Sequence, residues 1–298
     1  MVPFPFIAFE AVIKHKNFHN AARNLEVTPS AISHSISQLE KELGFSVFIR
    51  NRTGVNLTSN GQQIQPFIQE VINANEHLHE EADNIKGLST GKIRLGAFSS
   101  VCINWLPPII QSFRKEHPSI DISVMQKDFS SIAKEAKIGT VDLGFSCNPL
   151  PDGITAVPLL QDEIYCVTPK DFVPENGESI TKADIKKHQF ILQKKDYDGD
   201  VKQVLDHYDT YPSSLQYSVD DLSIVAMVES GLGIGILPKL ALERLNGSNV
   251  KLYPFDQVHY RTIYLVMNDI QIKVPATRQF FTHIKNFIEE KYPSGYLR

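Results

Sequence analysis

Apolar residues recur along the first sixty positions with the spacing of three short helices. Phe6, Phe9, Val12 and Ile13 share one helical face, and Asn17 with Phe18 closes that helix. In the next stretch, HNAARNLE, residues Ala21, Ala22 and Leu25 fall on one side and are small enough for a close helix crossing, and Val27 closes a turn. Thr28 before Pro29 predicts a third helix start, because the hydroxyl caps free N–H groups and proline in the first turn loses no needed donor. Along that helix Ile32, Ile36, Leu39 and Leu43 step by 4, 3 and 4, and Gly44 supplies the stop. The segment FSVFIRNRTGVNLTSNG then reads as a small β-ribbon: apolar Val47, Phe48 and Ile49, a turn over Arg50 to Gly54, then Val55 and Leu57.

A different period follows. Thr58 or Ser59 caps a predicted helix that runs to Gly87, far longer than the roughly 11–12 residues of an average globular helix. Ile64, Val71, Leu78 and Ile85 repeat every seven residues, with Ile68 and Ala82 in the companion row and Asn75 interrupting it. This is the pattern of a short coiled-coil seam, against the alternative of one long helix packed on its own domain; Pro66 predicts a kink near its start.

Beyond Gly91 strands and helices alternate: KIRLGAF (92–98), a helical WLPPIIQSFRKEH, IDISVM, a helical SSIAKEAKIG, and DLGF (142–145). That order predicts βαβαβ and a mainly parallel sheet. Further strands are expected at 163–168, 189–193, 215–219 and 262–267, with helices at 221–230, 238–245 and 276–290. Returns of the chain near 164–168 and 263–267 would divide this part into two lobes joined by two crossing strands.

Length and composition change this picture little. The 298 residues suit about two domains, and no apolar run approaches the roughly 18 residues of a membrane helix. The opening residues carry no basic group before their apolar stretch, so the chain does not read as secreted, and the cytoplasm is its expected compartment. Cys102, Cys147 and Cys166 are widely spaced, which argues against a disulfide framework or a zinc ribbon. The pairs His15/His19 and His77/His79 do not read as metal sites either. Net charge is −4 overall, yet residues 1–58 carry +2, whereas residues 59–90 carry −4. Only the N-terminal piece suits phosphate, and weakly.

The polar face of the third helix presents Ser30, Ser33, His34 and Ser37, short hydrogen-bonding groups at the end that would enter a major groove. An ordinary solvated face would look the same from this helix alone. The ribbon beside it tips the balance, since Arg50 and Arg52 could reach backbone phosphate or the minor groove. The whole run NFHNAARNLEVTPSAISHSISQLEKELGFSVFIRNRTGVNLTSNG resembles the DNA-binding region of LysR-type regulators. It shares with them Ala21-Ala22, Leu25, Val27-Thr28, Ser30 to Ser33, Ile36, Leu39-Glu40, Leu43-Gly44, Phe48, Arg50, Leu57-Thr58 and Gly61. Pro29 departs from a frequent glutamine and His34 from a frequent arginine, which bears on base preference more than on binding.

The phrase DDLSIVAMVESGLGIGILPKLA (220–241) is similar to the effector domain of the same family, whose fold is shared with periplasmic solute-binding proteins. The resemblance implies an α+β protein in three parts: a winged helix-turn-helix DNA-binding domain at 1–58, a linker and dimerisation helix at 59–88, and a two-lobed α/β effector-binding domain at 89–298. Lobe 1 would take about 91–164 and 267–298, and lobe 2 about 165–266. It also implies a homodimer or homotetramer, a pseudo-palindromic operator in double-stranded DNA, contact with RNA polymerase, and an effector between the lobes. DNA-binding residues would be Thr28, Pro29, Ser30, Ser33, His34, Ser37, Arg50 and Arg52.

For the effector, Ser99 and Ser100 end the first strand just before a helix, where free N–H groups and hydroxyls favour a carboxylate or other anion; a plain helix cap is the alternative. Asp128 with Phe129 and Phe145 with Ser146 follow the second and third strands, at the carboxyl ends where open α/β sheets bind ligands. Gly233 and Gly235 would allow close backbone approach, and Asp221 reads as a helix cap. The glycine run here precedes a strand and lacks the lysine of a nucleotide loop.

No G-x-S-x-G, H-E-x-x-H or P-loop occurs, so no catalysis, cofactor or metal is expected. A thiol-based redox sensor of the same architecture is the alternative; peroxide-sensing relatives use two closely spaced cysteines in the second lobe, and that pair is missing here. A free-standing solute-binding protein would have no use for residues 1–88.

Overall fold

The computed structural model describes residues 1–51, 54–86, 90–193, 199–208, 214–217, 221–244 and 249–297. These form two compact units, Met1–Thr90 with Lys137–Thr140, and Gly91–Ala136 with Val141–Arg298.

The first unit contains α1 (Phe4–His15), α2 (Phe18–Asn24), α3 (Pro29–Leu43), the hairpin β1 (Phe48–Asn51) and β2 (Gly54–Leu57), and α4 (Ser59–Ile85). Its ends are set by side chains that the sequence supplies. Asn17 accepts from the amides of His19 and Asn20 at the start of α2, Thr28 Oγ1 accepts from Ala31 N at the start of α3, and Gly44 ends α3 at φ +80°. Phe9, Val12, Ala21, Ala22, Ile32, Ile36 and Leu39 meet in the core, and Val47, Val55 and Ile68 close it. The hairpin is tied to α3 by Glu40, whose carboxylate accepts from Val47 N at 2.8 Å. At the root of α4, a Cβ on Gly61 would lie 2.2 Å from the Val47 carbonyl, so only glycine fits there.

The seven-residue repeat of α4 needs a correction. Ile64 and Ile68 pack into the core of the winged domain and are not available as a seam. The apolar residues left in solvent are Phe67 (62% exposed), Val71 (43%), Leu78 (65%) and Ile85 (81%), with Ala74 exposed between them. Phe67 and Ala74 therefore replace Ile68 and Asn75 in the companion row, because the first turns of the helix belong to the domain that launches it. Pro66 lies within the helix.

The second unit is a nine-stranded sheet with helices on both faces. Its elements are β3 (Gly91–Ala97), α5 (Ser99–Asn104), α6 (Leu106–Glu116), β4 (Ile120–Gln126), α7 (Phe129–Ile138), β5 (Leu143–Ser146), β6 (Thr155–Pro169), α8 (Lys182–Lys187), β7 (Phe190–Gln193), α9 (Gly199–His207), β8 (Ser214–Tyr217), α10 (Asp221–Glu229), β9 (Ile234–Pro238), α11 (Lys239–Leu242), β10 (Val250–Pro254), β11 (Tyr260–Met267) and α12 (Pro275–Lys291). Strands run in the order β4-β3-β5-β11-β6-β9-β7-β8, with β10 paired to β6. β3 is parallel to β4 and β5, and β7 is parallel to β8 and β9. Fifteen-residue β6 joins these halves: residues 155–163 pair antiparallel with β11, and 164–169 pair with β9 and β10.

Two lobes result. The first is built on Leu95, Trp105, Phe113, Phe145, Leu159 and Phe280, and the second on Cys166, Phe190, Val204 and Ile236 on one sheet face with Ile191, Ile224 and Val228 on the other. The boundary expected at 266 shifts: Ile263, Leu265, Val266 and Met267 of β11 are buried in the first core, while Phe255 belongs to the second, so the chain returns to lobe 1 between 255 and 260. Periodicity assigned no element to α8, α9 or β10; β10 is an edge strand that leaves Lys251 and Leu252 in solvent and so lacks a strong apolar pattern. The end of the strand expected at 215–219 lies outside the described residues.

Candidate nucleic-acid interface and effector site

On α3 the apolar stripe faces inward, which leaves Pro29, Ser30, His34 and Ser37 exposed and Ser33 half-buried beside them. Thr28 is committed to capping, and its Oγ1 also lies 2.9 Å from Ser30 Oγ. Arg50, on β1, is held over this face: its guanidinium donates to Ser33 Oγ at 3.4 Å and sits 4.4 Å from the centre of the Phe18 ring. A cation propped on an aromatic face loses less side-chain freedom on meeting a phosphate. Phe18, read from the sequence only as closing the first helix, is thus a prop for this surface. Arg52 lies outside the described residues.

In the second unit, Ser99 and Ser100 form the first turn of α5 and are both buried. Ser100 Oγ accepts from Arg261 Nη2 at 3.0 Å, and Arg261 in turn pairs with Asp162 through Nε at 2.9 Å. Both charged residues are almost fully buried, and they face each other across the β6–β11 ladder. The Arg261 guanidinium also lies 5.0 Å from the Phe98 ring centre, Phe98 stacks edge-on against Phe129 at 4.6 Å, and Ser146 Oγ donates to the Phe129 carbonyl. Ser100, Phe129 and Ser146 are therefore linked through Phe98 and Arg261 at the ends of β3 and β5. Asp200, at the start of α9, joins by charge: burial pushes its carboxyl up to about 6, with Arg261 opposing and Asp162 adding to the rise.

Four of the predicted effector residues have other duties. Asp128 caps α7, accepting from Ser131 N at 2.8 Å and from the hydroxyls of Ser130 and Ser131. Phe145 points into the lobe 1 core, edge-on to Trp105 at 5.8 Å. A Cβ on Gly233 would lie 2.5 Å from the Gln189 carbonyl, and one on Gly235 2.7 Å from Ile224, so these glycines let β9 approach β7 and α10. This packing alone requires glycine at both positions. Position after strands did not single out Asp162, Arg261 or Asp200: the first two stand inside the paired strands β6 and β11, and Asp200 lies at the start of α9. A groove of about 580 Å³ opens elsewhere in lobe 1, between α6 and β4, and none of the predicted effector residues lines it.

Two of the three thiols are fully buried, and Cys102 is half-buried beside the groove. Burial pushes Cys102 up to about 11 and Cys166 higher still, and Cys147 is buried as well. Among the described residues no cluster of metal-ligating side chains occurs, and no helix is long and apolar enough to cross a membrane.

Residues 6–62 match the family model described as "Bacterial regulatory helix-turn-helix protein, lysR family", and residues 86–288 match the one described as "LysR substrate binding domain". The chain is 30% identical to the probable HTH-type transcriptional regulator LrrA of Synechococcus elongatus, over 78% of this chain and 79% of that protein. A full-length OxyR variant from Pseudomonas aeruginosa has the same fold, with a TM-score of 0.75 at 19% identity over 97% of this chain and 95% of that one. Full-length CbnR, solved in complex with its target DNA, superposes with a TM-score of 0.63 at 18% identity, covering 97% of this chain and all of the other. The chain accordingly belongs to the LysR family, as a DNA-binding transcriptional regulator that carries a helix-turn-helix domain and an effector-binding domain.

Proposed function

We propose that this regulator reads a two-fold-related operator as a dimer, with residues 1–58 on the DNA, 59–88 pairing the subunits, and a small-molecule effector bound between the lobes of 89–298. The observation that carries the reading is the exposed Ser30, His34 and Ser37 face of α3, with Arg50 anchored beside it on Phe18 and Ser33. Serine hydroxyls and an imidazole suit base edges, and an exposed guanidinium suits phosphate. The stripe Phe67, Val71, Ala74, Leu78 and Ile85 supports pairing, since its 4-3-4-7 spacing is that of a coiled-coil seam left in solvent. Ser99, Ser100, Phe129 and Ser146 are the effector contacts we retain from the first lobe.

Purified protein incubated with sheared genomic DNA of its source should enrich a few intergenic fragments that share a two-fold site. A His34→Ala variant should lose preference among those fragments while still retaining DNA. If wild type enriches nothing down to low salt, where phosphate-driven binding is strongest, the operator reading fails.

A small-molecule effector is favoured over thiol sensing because a sensing cysteine needs an exposed, low-pKa thiolate, and Cys102 and Cys166 are shifted the opposite way. Native protein at pH 7.5 should therefore react with a thiol reagent far more slowly than the same chain in denaturant, and hydrogen peroxide should leave its operator binding unchanged. Rapid labelling of one native thiol, together with a peroxide-dependent change in DNA binding, would instead support the redox reading.

A further inference from the structure

The four-residue helix α11 has one side chain in each lobe: Leu240 is buried in the first core and Leu242 in the second. Its backbone is gripped from lobe 1 and from the crossing strand. Leu240 N donates to Asp162 Oδ1 at 2.9 Å, and the Leu240 carbonyl accepts from Asn104 Nδ2 at 2.7 Å. The same Asn104 amide donates to the Ser100 carbonyl, and Ser100 Oγ takes the Arg261 bond, so one buried network spans α5, β6, β11 and α11. These bonds are sealed from water.

Glu243, which follows α11, makes a contact of a different kind. Its carboxylate accepts from Tyr292 Oη at 2.5 Å and from Lys291 Nζ at 3.0 Å, at the end of α12 in lobe 1, and the Glu243 and Lys291 side chains are 26% and 35% exposed. Tyr292 Oη also accepts from Trp105 Nε1 at 3.0 Å. Burial and the Glu243 carboxylate push the Tyr292 hydroxyl above its ordinary range, so it stays a donor at any working pH.

We propose that α11 is the joint between the lobes and that Glu243 is its releasable catch, a positioning residue that must leave Tyr292 and Lys291 before the lobes can turn. The proposal rests on the effector-domain reading given above. Water can replace the partners of Glu243 one at a time, whereas the Leu240 bonds have no such exchange partner. The protein carries its own reporter, because Trp105 is the single tryptophan of the chain and its indole donates to Tyr292, the partner of the catch.

The full-length protein and its Tyr292→Phe and Glu243→Gln variants are compared by tryptophan emission, by hydrogen exchange of the Lys239–Glu243 amides, and by the length of the footprint on an enriched genomic fragment. Tyr292→Phe should shift the emission and raise exchange at those amides about tenfold, the scale of one lost charge-assisted hydrogen bond. Amides of Phe113 and Val225, deep in the two cores, should stay protected, and the footprint should change length. Glu243→Gln keeps an acceptor for Tyr292 and should give a smaller change of the same kind. Unchanged exchange at Lys239–Glu243, exchange that rises equally throughout both lobes, or looser exchange with an unaltered footprint would each overturn the catch. If wild type leaves no footprint on any fragment, the operator reading falls instead, and emission and exchange alone decide whether the joint exists.

Discussion

Arg50→Ala is expected to weaken binding to all DNA, operator or not, and to flatten its dependence on salt. The guanidinium is exposed and stands off the helix axis on Phe18 and Ser33, a placement that suits backbone phosphate and not a base edge. Each phosphate contact contributes a slope of about 0.9 in log affinity against log salt. A dimer loses two such contacts, so the ratio of wild-type to variant affinity should narrow roughly twelvefold between about 50 and 200 mM salt. Titrations of labelled operator and of random duplex at both salt concentrations measure this. A loss confined to the operator would show that Arg50 reads a base, and an unchanged slope would remove it from the interface. Phe18→Ala should reproduce a weaker version of the effect, on the order of 0.5–1 kcal/mol, because the arginine remains but its prop is gone.

Asp162→Asn should lower the melting temperature of the protein by roughly 6–20 °C, following a loss of about 3–5 kcal/mol when a buried pair is broken by removing one partner. Arg261 would be left charged and almost fully buried, with the Leu240 amide and Ser100 hydroxyl also deprived of part of their network. Burial pushes the Asp162 carboxyl up even though the Arg261 guanidinium pulls it down, so desolvation here outweighs the attraction. The same balance predicts that the double change Asp162→Leu with Arg261→Met restores most of the stability, since neither charge then has to be buried. Thermal unfolding of the single and double variants tests both statements. If the double variant melts as low as the single one, the network supplies stability directly.

How much of this was legible beforehand differs sharply between the two units. In the first, several helix ends were signalled locally: Thr28-Pro29 and Gly44 bound α3 as expected, and Asn17, read as closing the first helix, caps the start of α2 directly after it. On α4 the expected rows included Ile64 and Ile68, which are not part of the exposed stripe. Periodicity shows that Ile64 and Ile68 are apolar, but their burial depends on the winged domain folding back over the helix root, a contact far away in sequence. In the second unit the candidate effector residues were chosen by their place after strands. That rule names Ser100, Phe129 and Ser146 together with Phe145, whose ring turns into the core, and Asp128, which caps its own helix, and cannot tell these environments apart.

The sequence by itself determined the helices and hairpin of the first unit and most strands and helices of the second, because capping, helical period and turn chemistry are short-range effects. Only the tertiary structure decided which charged residues are buried together. Asp162 and Arg261 are 99 positions apart and meet only because β6 and β11 pair in one register, and Ser100 and Leu240 reach them only when both lobes are packed. A buried ion pair is stable solely when its whole surroundings are in place, and no local pattern records that.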